Sequence, residues 1–398
     1  MEIKNLKKTA QRIKKAIKNK EKIILYGDAD LDGATSVIIL QDSIKTLGGQ
    51  IFAFYFPDRE TEGYGISKQG LKYLARLIAQ KEREEKKKTP ILFIALDCGI
   101  SNYQEVALAK KMGFEVIIID HHQILNNKLP TADIIVNPKQ EGDRYSFKDF
   151  ACVGIVFKLS QVLLGKKLTE SLNKNFLELT ALATIADMMP QEAENKVFIE
   201  QGLLYLEDSW RPAIRAFWET EEFRQFTDIR QKVGKIISLL NIRDVEQKWP
   251  ASFRLLNCAS IDEAKEIIKD LLVKQQLRRE KMNEIMAEME KRIKEKDEPI
   301  IFEGDEDFDL ILLSSIASDL CQRYQKPVFL YKKMKEESHG TVRMPKGING
   351  VDLMNQCSDY LLTYGGHPLA AGFRLKNKNL EKFKKCLLTT YEKNNYLY

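Results

Sequence analysis

The sequence predicts an α/β protein: a parallel-sheet domain, a helical connector carrying a long charged helix, and a smaller second α/β domain. Three observations predict it. Between residue 20 and about residue 210, short apolar runs alternate with helical patterns, the grammar of a parallel sheet covered by helices. From about 153 to 300 the chain reads as chiefly helical and ends in the charged run "AKEIIKDLLVKQQLRREKMNEIMAEMEKRIKEKD". After "KDEP", strand-like runs resume and lead into the glycine-rich "YGGHPLAAGF". The expected boundaries are 1–215 for the first domain, 216–299 for the connector and 300–398 for the second domain.

The elements follow in order. Ile3, Leu6, Ala10, Ile13 and Ile17 share one face of a basic amphipathic helix, expected to dock on the domain rather than to act as a leader, since it has no apolar core segment. "KIILYG", "IFAFYF", "ILFIALD", "VIIID" and "IIVNP" read as buried strands. "SVIILQDSIKTLGG", "ISKQGLKYLARLIAQKEREEKKK" and "SNYQEVALAKKMG" read as the helices between them. The charged run before residue 300 reads as a solvated spacer helix laced with i,i+4 pairs. In the second domain "IIFEG", "LILLSS" and "PVFLYKK" read as strands.

Composition removes several classes of function. No apolar run approaches the roughly 18 residues of a membrane helix, so no membrane role is expected. Six scattered cysteines without a CxxC pair indicate neither a zinc site nor a disulfide framework, and a cytoplasmic setting is expected. The net charge of +6 permits a polyanionic partner without requiring one.

Chemistry concentrates where apolar runs end. Asp28, Asp30 and Asp32 follow the first strand within "GDADLDG"; if the chain stayed extended, all three carboxylates would share one face. Two carboxylates about 6 Å apart repel by about 3 kcal/mol at an effective dielectric near 20. Asp97 ends a second strand, Asp120 a third, directly before His121 and His122, and Asp187 follows an apolar helix. Any one of these aspartates could be a helix cap or turn residue. Four such segments converging on one sheet edge point instead to divalent cations, and mixed Asp/His ligation suits Mn²⁺ or a related ion. "DADLDG" is not an EF-hand loop, because Ile39 stands where the bidentate glutamate belongs and a strand precedes it. No phosphate-cradling GxxxxGK[ST] pattern occurs.

"GDADLDGATS", "ALDCGIS", "DHH" and "ATIADMMP" resemble, in order and spacing, the four motifs of the DHH phosphoesterase superfamily. "FPDRETEGYGIS", "LPTADIIVNPKQ", "FACVGIVFKL" and "MMPQEAENKVFIEQGL" resemble its RecJ branch, and "YGGHPLAAGF" resembles the glycine–glycine–histidine motif of the DHH-associated substrate domain. The resemblance implies two divalent ions, Mn²⁺ preferred and Mg²⁺ possible. Asp28, Asp30 and Asp97 would hold one; Asp32, Asp97, His121 and Asp187 the other, with Asp97 bridging. It implies that Asp120 orients His121, that His122 faces the substrate phosphate, and that Arg59, Arg343, Gly365, Gly366 and His367 bind substrate. The alternative for Arg59 is a salt bridge to Glu60 or Glu62, and His339 reads as a surface residue.

The implied activity is exonucleolytic hydrolysis of single-stranded nucleic acid, DNA favoured over RNA, from an end and 5'→3'. Protein partners are not indicated. The alternatives are a nano-RNase or a hydrolase of short oligonucleotides, cyclic dinucleotides or phosphoadenosine phosphate, a pyrophosphatase, and an inactive replication scaffold. The RecJ-type "INAxGR" segment is only partly matched, by "SLLNIRDVEQ" with Asn241 and Arg243. The OB-type domain of full-length relatives has no counterpart before Tyr398, from which weak grip and distributive cleavage are expected.

Overall fold

In the computed structural model, residues 2–59, 61–124, 128–246, 248–296 and 298–393 are described. They divide into two compact units, Met1–Val273 and Lys274–Tyr398.

The first unit opens with α1 (Leu6–Lys18), β1 (Lys22–Gly27), α2 (Leu31–Thr46), β2 (Ile51–Tyr55), α3 (Lys68–Glu85), β3 (Ile91–Leu96), α4 (Tyr103–Lys111), β4 (Phe114–Ile119) and β5 (Ile134–Val136). Helices α5 (Cys152–Leu164), α6 (Glu170–Ala186), α7 (Ala193–Tyr205), α8 (Pro212–Glu219), α9 (Glu221–Arg224) and α10 (Ile229–Leu240) follow. A short hairpin of β6 (Val245–Glu246) and β7 (Trp249–Pro250) then leads into α11 (Ala251–Leu256) and the long α12 (Ile261–Lys294).

The sheet is parallel, in the order β2-β1-β3-β4-β5. Apart from the edge strand β2, whose residues are mostly half-buried, its strands are buried on both faces, as parallel strands flanked by helices are. Ile23, Leu25, Leu92, Ile94, Ile117 and Ile119 join one core with α1, α2, α5 and α6. Their alternates Ile24, Tyr26, Phe93, Ala95, Val116 and Ile118 join another with α3 and α4. The chain leaves β1 toward β2 and returns on the other side of β1 as β3, so the crevice between β1 and β3 lies at the topological switch point. Register fixes what stands there: Gly27 pairs with Leu96, and Leu96 with Ile119. Asp28, Asp97 and Asp120 therefore emerge side by side from three adjacent strands.

Three expectations need correction in this unit. The chain does not stay extended after Gly27; it turns, and Asp30 caps α2 by accepting from the Gly33 amide at 3.0 Å. Gly33 permits this, because a Cβ there would lie 2.3 Å from the Asp28 carbonyl oxygen. Residues 216–273 do not stand apart as a connector: Phe217, Phe223, Val233, Ile236 and Phe253 are buried in the first core. Docking of α1 uses Leu6, Ala10, Ile13 and Ala16, while Ile17 is only half-buried.

The second unit contains β8 (Ile301–Asp305), α13 (Leu310–Tyr324), β9 (Val328–Lys333), β10 (Glu337–Arg343), α14 (Gly350–Asn355), β11 (Thr363–His367), β12 (Ala370–Lys376) and α15 (Leu380–Lys393). Its sheet runs β11-β12-β10-β9-β8, antiparallel except for β8 with β9. Residues of α13 cover one face with Ile301, Val328 and Leu330, and α14 and α15 cover the other with Phe329, Val342 and Phe373. "LILLSS", expected as a strand, is the first turns of α13; an apolar run this short does not distinguish strand from buried helix. Cys357 and Cys386, expected to be unpaired, form a disulfide across 29 residues. Among the described residues no helix is long and apolar enough to cross a membrane.

Candidate metal centre

Strand ends and helix ends deliver the acids. Asp28 and Asp97 follow β1 and β3, Asp32 sits in the first turn of α2, and Asp187 caps the carboxyl end of α6. His121 lies one residue beyond Asp120 after β4. Its Nε2 is 3.3 Å from Asp97 Oδ1, 3.5 Å from Asp187 Oδ2 and 3.9 Å from Asp32 Oδ2. Asp28, Asp30 and Asp97 form one group whose oxygens lie within 4.8 Å of one another; Asp32, His121 and Asp187 form a second, and Asp97, His121 and His122 a third. Asp97 thus stands at the junction of the groups. It is held at φ 60°, a left-handed conformation that costs a non-glycine residue energy and that aspartate tolerates better than most.

The donor set fits divalent cations. Asp97 Oδ1, His121 Nε2 and Asp187 Oδ2 are buried without any hydrogen-bond partner, although buried polar atoms are almost always paired. Burial, then the charge of Asp32, pushes the Asp97 carboxyl well above the usual carboxylate range. Burial and Asp187 do the same to Asp32. Asp187 is raised to about 6 by burial and then by Asp30. Its place at a helix carboxyl end, where the partial charge is negative, is also unfavourable for an anion. His121 is lowered to about 4, chiefly by burial and secondly by His122, so its imidazole is neutral and available as a ligand. Two helix amino ends oppose the crowding of charge. Asp30 caps α2, and Asp32 accepts from the amides of Cys152 and Val153 at the start of α5, at 2.7 and 2.8 Å.

Two predicted roles change. Asp120 does not touch His121: its carboxylate takes the His122 amide at 3.0 Å, lies 2.7 Å from His122 Nδ1, and accepts from the Ile100 amide at 3.0 Å. His122 is the residue it orients. Burial lowers the His122 pKa, but Asp120 outweighs it and the net shift is upward. Of the two salt bridges weighed for Arg59, Glu60 lies outside the described residues, and the Glu62 carboxylate is taken by Tyr55 and Ser67. The Arg59 guanidinium instead grips Asp28 through Nε at 2.9 Å and through Nη2, and Nη2 reaches Asp30 at 2.8 Å. Arg59 is therefore the positive charge that Asp28 and Asp30 share.

Several contributors gave little signal in the sequence. The Tyr64 hydroxyl donates to the Asp97 carbonyl at 3.1 Å and lies 3.1 Å from His122 Nε2. Lys139 donates to the His121 carbonyl at 2.8 Å. Asn241 and Arg243, the surviving pieces of a segment that matched poorly, line a cavity of about 510 Å³ together with Asp30, Asp32, Arg59 and Asp187.

The other predicted residues belong to the second unit. Gly365, Gly366 and His367 form the edge strand β11. Gly366 has φ 138°, and a Cβ there would meet the Ala370 carbonyl oxygen at 2.6 Å, so the position requires glycine. Arg343 on β10 holds Ser314 and Ser318 of α13, the latter at 2.9 Å. His339, read as a surface residue, is partly exposed and accepts from Arg374 at 2.9 Å.

Comparison with known proteins follows this geometry closely. Residues 22–184 match the DHH family, N-terminal domain, and residues 297–393 match the DHHA1 domain. The chain thus carries a DHH domain and a DHHA1 domain. The single-stranded-DNA-specific exonuclease RecJ of Bacillus subtilis is 32% identical over 97% of this chain, which spans 48% of that protein. RecJ of Thermus thermophilus is 27% identical over 96% of the chain, which spans 54% of it. The chain thus covers about half the length of these two relatives. The fold is that of an exonuclease RecJ crystallised with manganese, at TM-score 0.80 and 24% identity, covering 98% of this chain and 94% of that one.

Proposed function

We propose that this chain is a metal-dependent phosphodiesterase that removes nucleotides from an end of single-stranded DNA, 5'→3', with Mn²⁺ preferred over Mg²⁺. The observation that carries the reading is Asp97: a buried, strained carboxylate with an unpartnered oxygen, at the junction of two acid groups. Asp28, Asp30 and Asp97 would hold one ion, and Asp32, Asp97, His121 and Asp187 the other. Such ions lower the pKa of water and stabilise charge developing on a phosphoryl group. The chain's own residues do the rest. His122, tethered by Asp120 and beside Tyr64, is positioned to hydrogen-bond a phosphate oxygen from the solvent side. Arg59 and Arg243 add positive charge to the cavity wall, and Arg is suited to bidentate grip of phosphate. In the second unit, the backbone at Gly365, where a Cβ would meet nothing within 4 Å, allows a strand to approach closely. His367 is exposed beside it, and Arg343 would add a further phosphate contact. This reading sets the protein in the cytoplasm.

The test is to incubate the protein with Mn²⁺ and end-labelled single-stranded DNA, single-stranded RNA and dinucleotides. DNA should shorten from its 5' end, a 5' label should leave in the first turnover, and chelation should stop the reaction. Faster hydrolysis of dinucleotides than of DNA would replace this reading with a short-substrate phosphodiesterase.

A further inference from the structure

A second cavity, of about 370 Å³, lies outside the metal centre and is lined by Gln69, Lys72, Tyr73, Arg76 and Lys248. The first four recur at helical spacing along one exposed face of α3. Lys248 comes from the turn of the β6–β7 hairpin and sets its ammonium 3.4 Å from the centre of the Tyr73 ring and 5.5 Å from that of Tyr55. Tyr73 is 40% exposed, and the neighbouring Trp249 is 38% exposed with its ring 5.6 Å from Phe253. Val245 and Pro250 of the same hairpin line the cavity of the metal centre. One hairpin therefore contributes to both cavities.

Stability alone does not account for these choices. Lys72 and Arg76 are like charges one helical turn apart, an arrangement that weakens a helix. Lys248 adds a third cation from a backbone held at φ 69°, a conformation that persists where the surroundings or a function require it. No carboxylate pairs with Lys72, Arg76 or Lys248 among the described residues. The nearby Glu62 carboxylate is already held by Tyr55 and Ser67. Unpaired cations beside exposed flat rings complement a polyanion whose bases are free to stack. A duplex keeps its bases inside, whereas a single strand offers each base's face.

The geometry points to a second binding groove for single-stranded nucleic acid on α3 and the β6–β7 hairpin, holding the strand away from the bond that is cut. Lys72, Arg76 and Lys248 contact phosphates. Tyr73 and Trp249 carry bases, and Lys248 moves from the Tyr73 ring to the backbone as a base takes its place. The inference rests on a single-stranded substrate for the metal centre, but binding is measurable without cleavage.

The experiment measures anisotropy of a labelled long oligothymidylate in chelator, across a salt series, for the wild type and for the combined variant Lys72→Gln, Arg76→Gln, Lys248→Gln. All three residues are exposed, and a thermal melt checks that the fold is kept. Losing three phosphate contacts should flatten the slope of log K against log salt by about 2, at about 0.7 per contact on a single strand. Tyr73→Ala should weaken binding about tenfold, and Tyr73→Phe should not. Mn²⁺-dependent hydrolysis of a dinucleotide should be unchanged in every variant. The combined change Lys14→Gln, Lys15→Gln on α1 serves as the control and should leave the slope intact. An unchanged slope in the triple variant overturns the inference, as does equal competition by polyglutamate, which would mark an acidic-protein surface. A wild type that binds the long strand but never cuts it would sink the nuclease reading and leave the groove standing.

Discussion

In the network around Glu178 every buried polar group has a partner. Asn175 and Ser209 donate to Glu178 at 3.1 and 2.6 Å. Arg211 donates to Asn175 at 2.6 Å, to the Leu256 carbonyl at 2.8 Å and to Asp42 at 3.0 Å. In the cluster around Asp97, in the same unit, Asp97, His121 and Asp187 each keep a buried atom with no partner. The first arrangement is complete by itself. It ties the start of α8 to α6, α2 and the end of α11, which is why residues 216–256 pack as part of the first unit. The second is complete when something that accepts lone pairs is added. Burial of charge is common to both, and hydrogen-bond satisfaction separates structure from site.

The sharpest way to break this comparison is Asp97→Asn, which keeps the shape and tolerates the positive φ while removing one negative charge. If Asp97 joins two ions, turnover on short DNA should fall by roughly three orders of magnitude, the scale of several kcal/mol of lost transition-state stabilisation. The urea midpoint without added metal should hold or rise, because crowding among carboxylates is relieved. A variant that unfolds more easily and retains turnover would show that the cluster is structural.

Arg211→Met is the converse and should have the next largest effect. It leaves Asn175, Asp42 and the Leu256 carbonyl without their donor, and breaking a buried charged network in this way costs about 3–5 kcal/mol. Turnover per folded molecule should stay within about twofold. If Mn²⁺-dependent activity fell while the denaturation midpoint held, the network would have to be counted with the site.

Much of this was legible in the sequence because parallel strands announce themselves as apolar runs, and parallel pairing brings their ends to one edge. That was enough to gather Asp28, Asp97, Asp120 and His121, while Asp187 was marked by the apolar helix it ends. What remained hidden depends on turns and on contacts distant in sequence. The reversal at Gly33 that makes Asp30 a helix cap rests on one close backbone approach. The choice of His122 over His121 as the partner of Asp120 rests on side-chain direction after β4. Tyr64 reaches Asp97 across 33 residues, and the α5 amides reach Asp32 across 120. Arg211 fastens segments as far apart as Asp42 and Leu256, and nothing in local periodicity marks such a residue.

The smallest expected effect concerns pH. Burial pushes the Glu178 carboxyl up from 4.5 to about 7, against the lowering effect of Ser209, Arg211 and Asn175. A carboxyl whose folded pKa is raised keeps its proton in the folded protein after the unfolded chain has lost it. Between pH 4.5 and about 7 the folded state therefore binds more protons, and stability falls as pH rises through that window. Above it the loss is complete and flat. Glu178→Gln has no proton to lose, so the difference in stability between wild type and variant should change by roughly 1–3 kcal/mol from pH 5 to pH 7.5. Subtracting the variant cancels the titration of every other group that the substitution does not disturb. Urea midpoints at a series of pH values give the two curves. Parallel curves would mean that Glu178 is ionised in the folded protein throughout, held by the hydrogen bonds from Asn175 and Ser209 and by the nearby charge of Arg211. The network would then bury a second anion beside the Arg211–Asp42 pair, closer in kind to the carboxylates around Arg59 than to a protonated carboxyl.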